Sequence, residues 1–199
     1  MDEPALIKQA QKGDIAAFNR LVLQYQEAVY NVAYRIMNQP QAAEDATQDA
    51  FISAYKSLNQ FRGGSFKSWL MRIVTNGCYD ELRRRKRRPQ SSLDEMTEEN
   101  ESPAFLRSPN EEPEGYQQRV ELAQAIEDCL EGLPDDQRIT AVLCDIEGYD
   151  YNEIAHITSS TLGTVKSRIS RARTKLRDCL QGVAELLPAA YRLGSEGAA

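Results

Sequence analysis

The chain has 199 residues, 27% of them charged and 41% hydrophobic, and a formal net charge of −6. That length allows one or two domains with real cores. No stretch approaches the roughly 18 consecutive apolar residues of a membrane span, and the opening MDEPALIKQA has no signal-peptide core, so the expectation is no membrane insertion and a cytoplasmic location.

The predicted elements are helical from the start. Gly13 and Asp14 supply a break and an N-cap. Phe18, Leu21, Val22, Tyr25, Val29, Val32, Ala33 and Ile36 then recur at helical spacing. Asn38-Gln39-Pro40 interrupts the run, and proline suits the first turn of the helix that follows. In that helix, Ala46, Ala50, Phe51, Ala54 and Leu58 face inward, and Glu44, Asp45, Gln48 and Asp49 face out. Phe61 to Ser65 (FRGGS) reads as a loop with Ser65 as a cap. A third long helix carries Phe66, Trp69, Leu70, Ile73 and Val74 toward RRRKRR, with Trp69 expected in the core. Beyond Gln117, Val120, Leu122, Ala123, Ile126, Cys129 and Leu130 mark an amphipathic helix ending at Gly132-Leu133-Pro134. Asp135 or Asp136 is the expected cap of the next helix, with Ile139, Val142, Leu143 and Ile146 on its apolar face, and Gly148-Tyr149-Asp150 stops it.

Charge is strongly segregated along the chain. Arg62 to Arg88 holds nine Lys/Arg against two acids; Asp94 to Glu131 holds twelve acids against two Arg; Leu162 to Asp178 holds six basic residues against one acid. Local field, not net charge, decides where a polyanion can sit. The stretch Arg87 to Gln117, rich in Glu, Ser and Pro, buries too little apolar surface to offset chain ordering. The expected fold is therefore all-α: two small helical domains joined by a flexible acidic linker, the C-terminal one containing a helix-turn-helix. The expected boundaries are 1–88, a linker over 89–117, 118–183, and a tail over 184–199.

The helix-turn-helix is read from YNEIAHITSSTLGTVKSRISRARTKLR. Ile154 and Ala155 belong to a short first helix, and Thr158 to Ser160 form a polar turn. Val165, Ile169, Ala172 and Leu176 share one face of the second helix; Lys166, Ser167, Ser170, Arg171 and Lys175 share the other. Such a helix enters the major groove with its N-terminal half on base edges. Ser159 stands at the turn position commonly held by glycine.

Two segments in this order carry a more specific resemblance. Glu44 to Arg88 resembles the second region, and Glu147 to Arg177 the promoter-reading fourth region, of extracytoplasmic-function (ECF) RNA polymerase sigma factors; the likeness covers about residues 5 to 180. It implies core RNA polymerase and promoter DNA as partners, an anti-sigma protein as inhibitor, and no cofactor. It assigns polymerase docking to Asp45, Gln48 and Asp49. It assigns the −10 element to Asn76, beside a flipped-out base, with Thr75 and Tyr79, and with Arg83 and Arg84 on phosphates. It assigns the −35 element to Thr164, Lys166, Ser167, Ser170 and Arg171. Six phosphates neutralised by RRRKRR would give a salt slope of about −5. The acidic linker is expected to compete for the polymerase channel and to restrain DNA binding by the free protein, so deleting Asp94 to Glu114 should raise that binding.

The alternative is a conventional helix-turn-helix regulator whose N-terminal bundle senses a ligand or dimerises; it leaves TNGCYDELRRRKRR unexplained. An enzyme finds no support. The single histidine, His156, and four scattered cysteines without a C-x-x-C pair assemble neither a triad nor a metal site. The cysteines are expected to be reduced and packed, with Cys78, next to the basic run, the one placed for a lowered pKa.

Overall fold

The computed structural model describes residues 2–87 and 113–187. Among the described residues there are eight α-helices and no strand. The all-α, two-domain expectation holds.

The first domain is built around one long helix. Helices α1 (Glu3–Gln11), α2 (Ile15–Met37), α3 (Pro40–Ser57) and α4 (Phe66–Arg87) follow in order, with α2 in contact with the other three. The Asp14 carboxylate caps α2 by accepting from the Ala17 N–H at 3.1 Å. Asn38 ends α2 in the left-handed conformation (φ 52°), and Pro40 starts α3 where its missing N–H costs nothing. The Ser65 hydroxyl accepts from the Ser68 N–H at 3.1 Å, which caps α4. The apolar stripe read from α2 is the one buried: Leu21, Val29, Val32, Ala33 and Ile36 are almost wholly removed from water. Each such large side chain stabilises the domain by roughly 1.5–3 kcal/mol. Trp69 packs at the edge of this core, half-buried against Phe61 and Phe66.

The second domain is smaller. It contains α5 (Pro113–Glu131), α6 (Asp135–Ala141) with a π-helical segment Val142–Ile146, α7 (Tyr151–Ile157) and α8 (Leu162–Gln181). Up to residue 112 the expected linker, and with it the expectation about deleting Asp94 to Glu114, lies outside the described residues; from Pro113 the chain is already helical. The acids expected to cap α6 do not: Pro134 is the N-cap residue, and Asp135 and Asp136 sit in the first turn, where they face the positive end of the helix dipole. Asp150, read as part of a stop, also starts α7 through a capping box with Glu153.

The cysteines differ from expectation. Cys129 of α5 and Cys179 of α8 form a disulfide, with Cα atoms 5.8 Å apart and 50 residues between them in sequence. Cys78 and Cys144 are free. Cys78 has no lowered pKa: it is fully buried on the core side of α4, and burial pushes its thiol up to about 12.

Candidate nucleic-acid interface

Helix α8, the second helix of the helix-turn-helix, is held by its N-cap and its core face. The Thr161 hydroxyl accepts from the Thr164 N–H at 3.2 Å and so fixes the start of α8. Ser159 adopts φ 52°, the left-handed turn that its position requires, without glycine. Val165, Ile169 and Ala172 are buried, which turns Lys166, Ser170 and Arg171 outward, all exposed; Ser167 and Thr164 are half-buried. Ser167 donates to the Thr164 carbonyl at 2.9 Å. A groove on the outer face is lined by Lys166, Ser170, Arg173, Thr174 and Arg177, with Tyr151 at one wall. Arg173 is engaged by the Asp145 carboxylate at 2.5 Å, which holds its guanidinium above the ordinary arginine range. Lys166 and Arg171 are therefore the cations of the N-terminal half turned to solvent, and they can reach phosphates or guanine edges. Arg173 was not singled out from the sequence; its spacing from Ser170 placed it on this side, but its tie to Asp145 is a tertiary fact.

On α4 the basic end projects from the first domain. Arg83, Arg84, Arg85, Lys86 and Arg87 are exposed, whereas Arg88 lies outside the described residues. Glu81 pairs with Arg84 at 2.6 Å and Arg85 at 3.0 Å, and Arg83 lies 5.3 Å from the Tyr79 ring centroid, a cation–π contact. Asn76 is exposed and Tyr79 half-buried one turn on. Thr75 departs from expectation: it is only 2% exposed, and its hydroxyl is buried without a partner. In this arrangement no nucleotide reaches it.

The acidic face of α3 is open. Asp45, Gln48 and Asp49 are exposed and line a groove of about 430 Å³ whose other wall is the Asp80, Glu81, Arg84 and Arg85 side of α4. Spacing of three and four residues brings these side chains to one face. Ile52, 45% exposed, extends that face with apolar surface. The groove thus offers acids, amide and an aliphatic patch to a protein partner, beside arginines suited to phosphate.

The two domains are packed together along α4. A small cavity of about 100 Å³ has Thr75, Asn76 and Tyr79 on one side and Asp136, Ile139, Thr158, Ser160 and Arg168 on the other. Arg168 donates to Asp136 and Ser160, both at 2.9 Å. Arg72 donates to the Ser159 hydroxyl at 3.2 Å, Lys86 pairs with Asp135 at 2.7 Å, and Arg138 donates to the Ile36 carbonyl at 2.7 Å. Thr75 Oγ1, Arg138 Nε and the Tyr149 hydroxyl are buried here without partners. Each such group costs about 1–3 kcal/mol, so the contact is held against an opposing term. Among the described residues no three His, Cys, Asp or Glu side chains are grouped to hold a metal ion, and His156 is exposed on α7.

The chain is similar to known proteins over both helical domains. The family described as Sigma-70 region 2 matches residues 21–88, and Sigma-70, region 4 matches residues 123–176. The ECF RNA polymerase sigma-E factor of Escherichia coli (strain K12) is 39% identical over 184 residues, 91% of this chain and 95% of that protein. The RNA polymerase sigma-H factor of Pseudomonas aeruginosa is 37% identical over 182 residues, 88% and 92% of the two chains. Among solved structures, CnrH in complex with the cytosolic domain of CnrY superposes with a TM-score of 0.65 at 26% identity, covering 92% of this chain and 99% of that one. The sigma factor RpoE in complex with the anti-sigma factor NepR from Bartonella quintana gives 0.64 at 28% identity, covering 82% and 96%.

Proposed function

The chain belongs to the ECF family of RNA polymerase sigma factors, which bind core polymerase and direct promoter recognition and transcription initiation, and on that premise we propose how its residues divide the work. The first domain (1–88) docks on core polymerase through Asp45, Gln48 and Asp49 of α3, with Ile52 adding apolar contact. It reads the −10 element with Asn76 and Tyr79, and holds phosphates with Arg83 and Arg84. Thr75 shapes the wall behind Asn76 and becomes a contact only if the second domain withdraws. A base taken out of the stack costs a few kcal/mol, which an amide and an aromatic ring can offset.

The second domain (118–183) reads the −35 element with Lys166, Ser170 and Arg171, supported by Thr164 and Ser167 at the capped start of α8. The protein acts in the cytoplasm, where polymerase is. An anti-sigma protein is a further partner, by analogy with CnrH bound to the cytosolic domain of CnrY and RpoE bound to NepR. No step of this reading needs catalysis by the chain itself.

The single observation that carries the reading is the pairing of an open acidic face on α3 with a row of exposed cations on α4, on one small domain. The test is gel filtration of the purified chain with bacterial core RNA polymerase. The wild type should coelute, and Asp45→Arg/Asp49→Arg should not. Coelution that survives the double substitution would remove α3 from the docking role.

A further inference from the structure

The disulfide lies outside both reading surfaces, and nothing in promoter recognition uses it. Cys129 is 5% exposed on α5, and Cys179 is exposed near the end of α8. A Cα separation of 5.8 Å lets the bond form and break with little backbone movement. Apart from that bond, α5 holds α8 through a small apolar cluster in which Leu130 and Ile126 meet Ala172 and Leu176.

The neighbouring face of α5 is attached to the first domain. Asn38, at the end of α2, donates to Glu131 at 2.5 Å, and Tyr34 of α2 hydrogen-bonds Glu127. Arg138 joins the same place from α6, donating to the Ile36 carbonyl and, at 3.0 Å, to the Glu131 carbonyl. Helix α5 is thus a cross-brace, with sulfur on the recognition helix at one side and polar contacts to α2 at the other.

We propose that the Cys129–Cys179 bond is a reversible thiol–disulfide switch that fixes α5 on α8 and, through α5, holds the two domains in their packed arrangement. Disulfides in proteins that work among reducing thiol pools are typically transient and redox-sensing. Reduction starts when a thiolate of a dithiol reductant attacks the accessible Cys179 sulfur. The S–S bond breaks, Cys129 leaves as a thiolate and takes up a proton, and the reductant's second thiolate closes its own disulfide and releases Cys179. Oxidation by hydrogen peroxide returns the bond: two thiols give up two electrons and two protons, and the hydrogen peroxide leaves as two waters. The remaining cysteines do not compete, because burial raises the Cys78 and Cys144 thiols above their ordinary range. The cavity between Asn76 and Arg168 lies at the packed contact, so the bond governs how freely the middle of α4, around Thr75 to Tyr79, is uncovered. That last consequence rests on the residue roles proposed above; the switch itself does not.

The test uses the full-length chain, treated with hydrogen peroxide or with dithiothreitol, followed by hydrogen exchange and a thiol count under denaturing conditions. The oxidised chain should show two free thiols and the reduced chain all four. Reduction should speed exchange at least about tenfold in α5 and at the α2 end around Asn38, leaving α3 unchanged. Cys179→Ser, at an exposed position, should exchange at the fast rate in both conditions, and Cys144→Ser should keep the wild-type difference. Four free thiols after peroxide, or equal exchange with two and four thiols, would overturn the proposal. Neither readout involves polymerase or DNA, so failure here would leave the docking and promoter-reading assignments standing.

Discussion

In the first domain, α2 is enclosed by α1, α3 and α4, and Leu21, Val29, Val32, Ile36, Leu70 and Met71 are almost wholly buried among those four helices. Among the described residues, the second domain has a core of its own formed by Leu130, Leu133, Ala141, Val142 and Ala172, with Ile126 and Leu176 beside it. Its other buried residues, among them Ile139, Leu143, Ile154, Ile157, Val165 and Ile169, are continuous with the first domain's core. Small domains bury a smaller fraction of their surface and are correspondingly marginal. Helix α8 therefore draws support from a neighbouring domain and from one covalent bond, while the first domain is close to self-sufficient.

The harshest test of that contrast is Leu70→Ala. The side chain is fully buried on α4, the helix that also touches α7, and truncation should destabilise the chain by about 2–5 kcal/mol. Thermal melting followed by circular dichroism should show both domains losing stability together; a second domain that melts at its wild-type temperature would break the comparison. Arg138→Met acts at the seam. It removes the donor to the Ile36 carbonyl, leaves that oxygen unpaired, and should cost about 1–3 kcal/mol. The expected signature is faster hydrogen exchange at the end of α2 with the α3 amides unchanged.

Asp150→Ala addresses the second domain alone. It removes the acceptor for the Asn152 and Glu153 N–H groups and with it the capping box, for a loss of about 1 kcal/mol. Denaturant titration should register this in the second domain and not in the first. The smallest effect is pH-dependent. Partial burial raises the Glu127 carboxyl above its ordinary value of 4.5, opposed by Tyr34 and Arg35. A carboxyl whose folded pKa is raised binds its proton more tightly when folded, so the α5–α2 contact is best supported in acid. That support is lost as pH rises from the ordinary glutamate value through the raised one. Glu127→Gln should flatten the dependence, measured as melting temperature between pH 4 and pH 7.

What could be read in advance was set by short-range chemistry. The Asp14 and Ser65 caps, the break at Asn38 to Pro40, the left-handed Ser159 and the two faces of α8 all depend on residues within a few positions of one another. The Asp135 or Asp136 cap failed for a local reason as well, since Pro134 begins the helix one residue earlier. The candidate site was legible to the same degree: Lys166, Ser170, Arg171, Asn76 and the α3 acids are exposed as expected. Thr75 was not, because a residue beside Asn76 points inward or outward according to what packs on α4.

The disulfide and the seam lay beyond any such reading. Four cysteines allow several pairings, and spacing alone does not choose among them; folding α5 across α8 brings positions 50 residues apart within reach. Arg138 meets the Ile36 carbonyl across 102 positions, and no periodicity announces such a bond. By itself the sequence determined the helices, the caps at Asp14 and Ser65, the segregation of charge and the family, because each rests on local spacing or ordered motifs. Only the tertiary structure decided which cysteines join, which readers are covered and how far the second domain depends on the first, because burial belongs to whichever surfaces meet.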